Sequence, residues 1–154
     1  MTKPFILLTF LLCVLCSCEK NDATKILHED FLKKGWKLTE LKINGVHADL
    51  SARGLTELML FDEQNLCYTA IPVLDIAGTW QYEDHRTAWN YDYSKSILNI
   101  SAFLPITIYT DNIDKNRLDC HYYKYNTEGE LDLYEKSFVP AEVVIENLKV
   151  RLKE

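Results

Sequence analysis

The chain has 154 residues, 47% of them apolar and 26% charged, with 23 acidic side chains against 17 basic ones for a net charge of −6. No run of Lys or Arg offers a basic surface, so charge argues against nucleic acid or anionic lipid as a partner of the protein surface. The five glycines (35, 45, 54, 78 and 129) are too widely spaced for a phosphate-cradling loop, and no Gly-x-Ser-x-Gly elbow is present.

The chain starts with Met1-Thr2-Lys3 and an apolar run over residues 5–16, then changes character at Leu15-Cys16-Ser17-Cys18, after which come Glu19-Lys20-Asn21-Asp22. At ~1.5 Å per residue the run spans about 18 Å, short of the roughly twenty residues that cross a bilayer core, so a cleaved export signal (1–17) fits better than a retained span. Leu-Cys-Ser-Cys resembles the lipobox of bacterial lipoproteins, with Leu15 three before the cysteine and Ser17 directly before it. The resemblance implies that Cys18 becomes the first mature residue and carries acyl chains. At about 0.8 kcal/mol per buried CH₂, several chains hold a protein to a membrane that it does not span. It also implies an exported protein of the cell envelope, on the outer membrane.

Residues 18–34 read as a polar tether and then a short helix, on the spacing of Ile26, Leu27, Phe31 and Leu32, with Thr24 to cap it and Gly35 to end it. From Gly35 the pattern turns to period two, which marks half-buried antiparallel strands. Trp36, Leu38, Glu40 and Lys42 alternate against Lys37, Thr39, Leu41 and Ile43, and Asn44-Gly45 is a strong hairpin turn. Further strands are expected at 57–61, 66–70, 78–83, 96–100, 105–109, 117–125 and 130–138, each bounded by polar turn residues. Residues 84–93 read as an aromatic insertion between strands. Eight short strands predict an all-β domain over 35–140, a small antiparallel barrel or sandwich. After Pro140, residues 141–154 have a helical spacing in Ala141, Val144, Ile145, Leu148 and Leu152, so a terminal helix is expected; Val143, Ile145 and Val150 suit an extra strand as the alternative.

Gly35-Trp36-Lys37-Leu38 on the first strand, residues 58–61 before a turn, and Gly78-Thr79-Trp80-Gln81-Tyr82 before an aliphatic strand together resemble the lipocalin-like domain lipoproteins of Bacteroides-type bacteria. The resemblance covers 35 to about 138 and implies a meander β-barrel that follows the lipidated cysteine. In lipocalins a late Arg packs over the first-strand indole, and Arg117 is the candidate here.

A barrel of about eight strands is just wide enough to be filled by side chains or to hold one small ligand. Tyr68, Trp80, Tyr82 and Tyr122 are the candidates to line such a site, against the alternative that Trp36, Trp80 and Tyr82 fill the core. Trp89, Tyr91 and Tyr93, flanked by His85, Arg86, Asn90 and Asp92, suit either the core or a partner surface. Neighbours on a strand point to opposite faces, so Cys120 and His121 do not converge on one metal ion, and no cofactor is expected. Cys67 and Cys120 either pair in an oxidising compartment or sit as small buried hydrophobes. The residues therefore point to a non-catalytic, membrane-anchored binding module for a small apolar ligand or an envelope protein; an inhibitor or immunity-type lipoprotein is the alternative.

Overall fold

The computed structural model describes residues 32–48, 54–101 and 106–153. The expected signal segment, Cys18 and all of the expected helix before residue 32 lie outside them. The strands are β1 (Gly35–Ile43), β2 (Val46–His47), β3 (Leu58–Phe61), β4 (Leu66–Leu74), β5 (Trp80–Asp92), β6 (Ile97–Ile100), β7 (Ile106–Ile113), β8 (Leu118–Tyr125), β9 (Leu131–Pro140), β10 (Val143–Glu146) and β11 (Lys149–Leu152). Each of β3 to β9 pairs antiparallel with its predecessor in the order β1-β3-β4-β5-β6-β7-β8-β9, and β9 pairs back to β1. Eight strands therefore close an all-β barrel, the first of the two forms that the alternation allows and the one that the resemblance implies, and closure removes the unpaired edges that an open sheet would expose. The turn at Asn44-Gly45 has both residues at positive φ (52° and 78°), and β2 is the short strand that it returns.

Two expectations are corrected. The segment 84–93 is not an insertion: β5 runs on through it, pairing with β4 from Trp80 to Ala88 and with β6 from Trp89 to Asp92. The tail is not a helix but the hairpin β10–β11, turned by Asn147 and Leu148, both at positive φ. Its β-branched Val143, Val144, Ile145 and Val150 favour the extended form, and Val150 is fully buried.

The interior is built from one set of alternating side chains. Leu32, Trp36, Leu38, Met59, Phe61, Cys67, Trp89, Leu98, Leu118 and Phe138 form the main core. Trp36 donates its indole N–H to the Leu32 carbonyl at 3.2 Å, and Lys34 Nζ sits 4.8 Å over its ring. Lys34 thus occupies the place that the resemblance gives to Arg117, which instead turns outward to Asp119 at 2.7 Å. A second cluster lies on the outer face of β3 and β4, where Leu58, Tyr68 and Ala70 are covered by Val150 of the terminal hairpin. Arg151 ties the hairpin down with a two-pronged pair to Asp84 (2.6 and 2.9 Å) and stacks over Tyr82 at 4.8 Å. Burial pushes the Asp84 carboxyl up, but the bonds from Arg151 and the Val150 N–H outweigh it and hold the carboxyl below its usual range.

Gly35 lets this hairpin approach. A Cβ there would collide with the Ala141 carbonyl oxygen and with Val143 Cγ2. Gly35→Ala is expected to lose about 1–3 kcal/mol, the typical cost of overpacking, and to loosen the hairpin. Urea unfolding and amide exchange at Val143 and Val150 check this; unchanged stability and protection would contradict the docking.

Candidate functional site

A β-bulge positions the interior of the barrel's other half. The pairing of β1 with β9 shifts between Leu38 and Glu40, so that Leu38 opposes Phe138 while Leu41 opposes Lys136 and Ile43 opposes Tyr134. The extra residue, Thr39, swaps the two faces of β1. Leu41 thereby joins Trp36 and Leu38 inside, whereas simple alternation puts it outside.

Beyond the Trp36 core, a cavity of about 230 Å³ occupies this half. Leu38 and Leu41 of β1, Leu55 and Glu57 before β3, Ile71 and Pro72 of β4, Trp80 of β5, Tyr122 of β8, and Tyr134 and Lys136 of β9 line it. The wall is mostly apolar, with one charged pair: Lys136 Nζ bonds Glu57 Oε2, and both side chains are nearly buried, at 12% and 11% exposure. Tyr122 and Tyr134 stack in parallel with centroids 5.0 Å apart, and Lys136 Nζ lies 5.3 Å from the Tyr122 ring centre. Burial alone would push the Lys136 ammonium toward its neutral form, but Glu57 and Tyr122 outweigh it and raise its pKa, so it stays charged. Burial raises the Tyr122 hydroxyl, with Lys136 offsetting part of that.

Of the four candidate ligand-lining residues, Trp80 and Tyr122 do line the cavity. Tyr68 and Tyr82 belong to the cluster under the terminal hairpin, where Tyr68 is buried and Tyr82 stacks beneath Arg151. Trp80 and Tyr82 share one face of β5 in an unshifted register, so Trp80 reaches the cavity from the first position of the strand, a difference that period two does not signal. Trp89, weighed as core or partner surface, is core: it is 5% exposed and meets Phe61 edge to face at 5.2 Å. Tyr91 packs against the same core and shares a 2.7 Å hydrogen bond with Thr110, and Tyr93 meets Tyr91 edge to face at 4.7 Å. None of the three makes an exposed aromatic patch. That role passes to a strip on the outer face of β7, β8 and β9, where Tyr109, Tyr123, Tyr125 and Leu131 are exposed and Tyr109 stacks on His121. The residues missed by pattern are Glu57 and Lys136, which lie far apart in the chain and look like ordinary surface charges.

A second depression of about 270 Å³, lined by Glu40, Lys42, Arg117, Asp119 and Glu135 among others, is dominated by charged residues. Those charges satisfy one another, with Lys42–Glu40 at 3.1 Å and Arg117–Asp119 at 2.7 Å, which makes it a poor host for an apolar molecule. Among the described residues, no three or more His, Cys, Asp or Glu side chains gather where a metal ion could be held.

Cys67 and Cys120 are free and buried. Burial pushes both thiols up, Cys120 to about 12, so neither is a nucleophile at neutral pH. Above about pH 8.5 an unfolded thiol releases a proton that the fold retains. Stability is therefore full below that pH and falls as pH rises toward the folded values, by about 1.4 kcal/mol per pH unit for each thiol. Urea unfolding at pH 8, 9 and 10 should show this slope, and Cys67→Val and Cys120→Val should each flatten it. Unchanged slopes would contradict the burial.

No protein-family model matches the sequence, and no curated protein does. Solved structures of similar course include bovine odorant-binding protein in complex with undecanal, at 11% identity and TM-score 0.48 over 79% of this chain and 76% of that one. A dog lipocalin allergen matches at 8% identity and TM-score 0.47 over 70% and 72% of the two chains. Aphrodisin from female hamster matches at 5% and 0.45 over 70% and 74%. These likenesses are of barrel architecture and carry no ligand or partner across.

Proposed function

We propose that this chain is an exported, lipid-anchored protein whose barrel takes up a small, largely apolar molecule without transforming it. The observation that carries the binding reading is the 230 Å³ cavity with its apolar wall of Leu38, Leu41, Ile71 and Trp80. Ligand sites are typically concave and apolar with a few placed polar groups, and this cavity has that make-up. Mass spectrometry of solvent extracts from protein purified out of its own membrane tests it. A stoichiometric small molecule is expected, and repeated extracts that hold none would count against it.

The anchoring reading rests on Leu15 to Cys18; the net acidic chain, with no run of Lys or Arg, offers no basic patch as an alternative route to anionic lipid. Cys18→Ala is expected to move the protein into the soluble fraction or to leave it unprocessed with its signal. A variant processed and membrane-bound like wild type would refute lipidation. A second reading, an inhibitor or immunity-type lipoprotein that blocks an envelope enzyme or toxin, draws on the exposed strip of Tyr109, Tyr123, Tyr125 and Leu131. Aromatic residues are enriched in interface cores, and 69% of Tyr125 is exposed. Under this reading Tyr123→Ser with Tyr125→Ser abolishes capture of a protein partner while leaving the extracted ligand unchanged.

A further inference from the structure

The cavity's charged pair has a chemical consequence for what it can hold. Lys136 and Glu57 bond each other in a mostly apolar wall whose other polar groups are the Tyr122 and Tyr134 hydroxyls and the Trp80 indole N–H, so the pair is neutral as a whole while each member keeps capacity to spare. An ammonium has three donors and a carboxylate about four lone-pair sites; their mutual bond uses one of each and the Tyr122 hydroxyl takes a second donor, which leaves Lys136 one to give. A ligand that brings a charge would bury a third charge beside a balanced pair, leaving net charge in a low-dielectric site, which is strongly disfavoured. A purely apolar ligand would cover the pair and strand its unused donors and acceptors away from water. A hydroxyl avoids both penalties: its oxygen accepts from Lys136 Nζ, its proton is donated to Glu57, and the site stays neutral.

We infer that the ligand class is the neutral amphiphile with a single hydroxyl end, its head read by Lys136 and Glu57 and its apolar body laid against Leu38, Leu41, Ile71 and Trp80. This assignment rests on the proposed binding role of the barrel. Size narrows the class further. A cavity of roughly 150 Å³ takes up benzene, so about 230 Å³ admits a body of about nine or ten heavy atoms. The part of the ligand that the cavity covers is therefore the size of a medium-chain alkanol or a single-ring alcohol. Tyr122, whose ring lies under Lys136 and stacks on Tyr134, fixes the direction of the ammonium and so positions the head.

Isothermal titration calorimetry of the folded domain at pH 7.5 separates the possibilities with four probes of nearly equal size: 1-octanol, heptyl methyl ether, octanoate and octylammonium. The expected result is one-to-one binding of 1-octanol at least tenfold tighter than any of the other three, a gap of about 1.4 kcal/mol. The ether keeps the acceptor and loses only the proton for Glu57, and the two ions test the charge argument from each side. In the double variant Glu57→Leu/Lys136→Met, the preference for 1-octanol over the ether should disappear while both still bind. Equal binding of alcohol and ether by the wild type, or tightest binding of octanoate or octylammonium, would overturn the head-group assignment and leave the barrel a binding module. Binding of no probe, by the wild type or by the double variant that lacks the charged pair, would overturn the binding role itself.

Discussion

Lys136→Met is expected to destabilise the barrel by about 3–5 kcal/mol, because it leaves the Glu57 carboxylate buried without its partner. The effect is not a measure of what the ion pair contributes. Taking two charges out of water is costly, and replacing a buried pair with apolar side chains of similar size is often neutral or stabilising. Glu57→Leu/Lys136→Met is therefore expected to lie within about 1–2 kcal/mol of wild type, or above it, although each single change is harmful. Urea unfolding of the wild type, the two single variants and the double variant completes the cycle. Two small, additive single effects would show that the pair is solvated and is not part of the cavity wall. The same cycle separates stability from binding: a double variant more stable than wild type that loses its discrimination between head groups would show that the pair is kept for recognition at the expense of stability.

Trp36→Ala is expected to cost about 3–5 kcal/mol, the range for removing a buried aromatic side chain. The indole is fully buried against the main core, and its N–H holds the Leu32 carbonyl where the chain enters the first strand. Removing it empties the end of the barrel below the cavity and frees the equally buried Leu32. Trp36→Phe should cost far less, since it keeps most of the ring and forfeits mainly a hydrogen bond worth about 0.5–1.5 kcal/mol. Chemical denaturation checks both, and a loss under about 1 kcal/mol for Trp36→Ala would mean that Trp36 is not part of the packed core.

The barrel was legible because its strands announce themselves locally. Leu58 to Phe61, Leu66 to Ala70 and Leu118 to Tyr125 are apolar or alternating runs, and turns such as Asn44-Gly45 and the one ending at Gly129 adopt the positive φ that their residue types favour. Failures arose where tertiary contacts overrode the local pattern. Asp84, His85, Arg86 and Thr87 look like loop because polar side chains fall on both faces of β5, yet Asp84 is matched by Arg151, which lies far along the chain. Val144, Ile145 and Leu148 satisfy a helical spacing as well as a strand, and burial of Val150 against β3 and β4 decides for the strand.

The candidate site was legible in part, for reasons that concern phase. Trp80 and Tyr122 could be picked as aromatic residues on barrel strands, and they line the cavity. Tyr68 and Tyr82 face the terminal hairpin, which covers the outer side of the sheet there, and Trp80, in phase with Tyr82, reaches the cavity from the first position of β5. Thr39 carries no sign that it is a bulge, yet it brings Leu41 inside and places it opposite Lys136. Nothing near Glu57 in sequence hints at a partner 79 residues away.

The central claim is that the half of the barrel beyond Trp36 holds a small, largely apolar molecule. Methyl and aromatic NMR spectra recorded during titration with 1-octanol test it most directly. Saturable one-to-one shifts at Leu38, Leu41, Ile71 and Tyr122, with Tyr109, Tyr123 and Tyr125 unmoved, are the expected result. Shifts confined to that outer tyrosine strip, or none at the cavity residues up to the solubility limit of the alcohol, would contradict it.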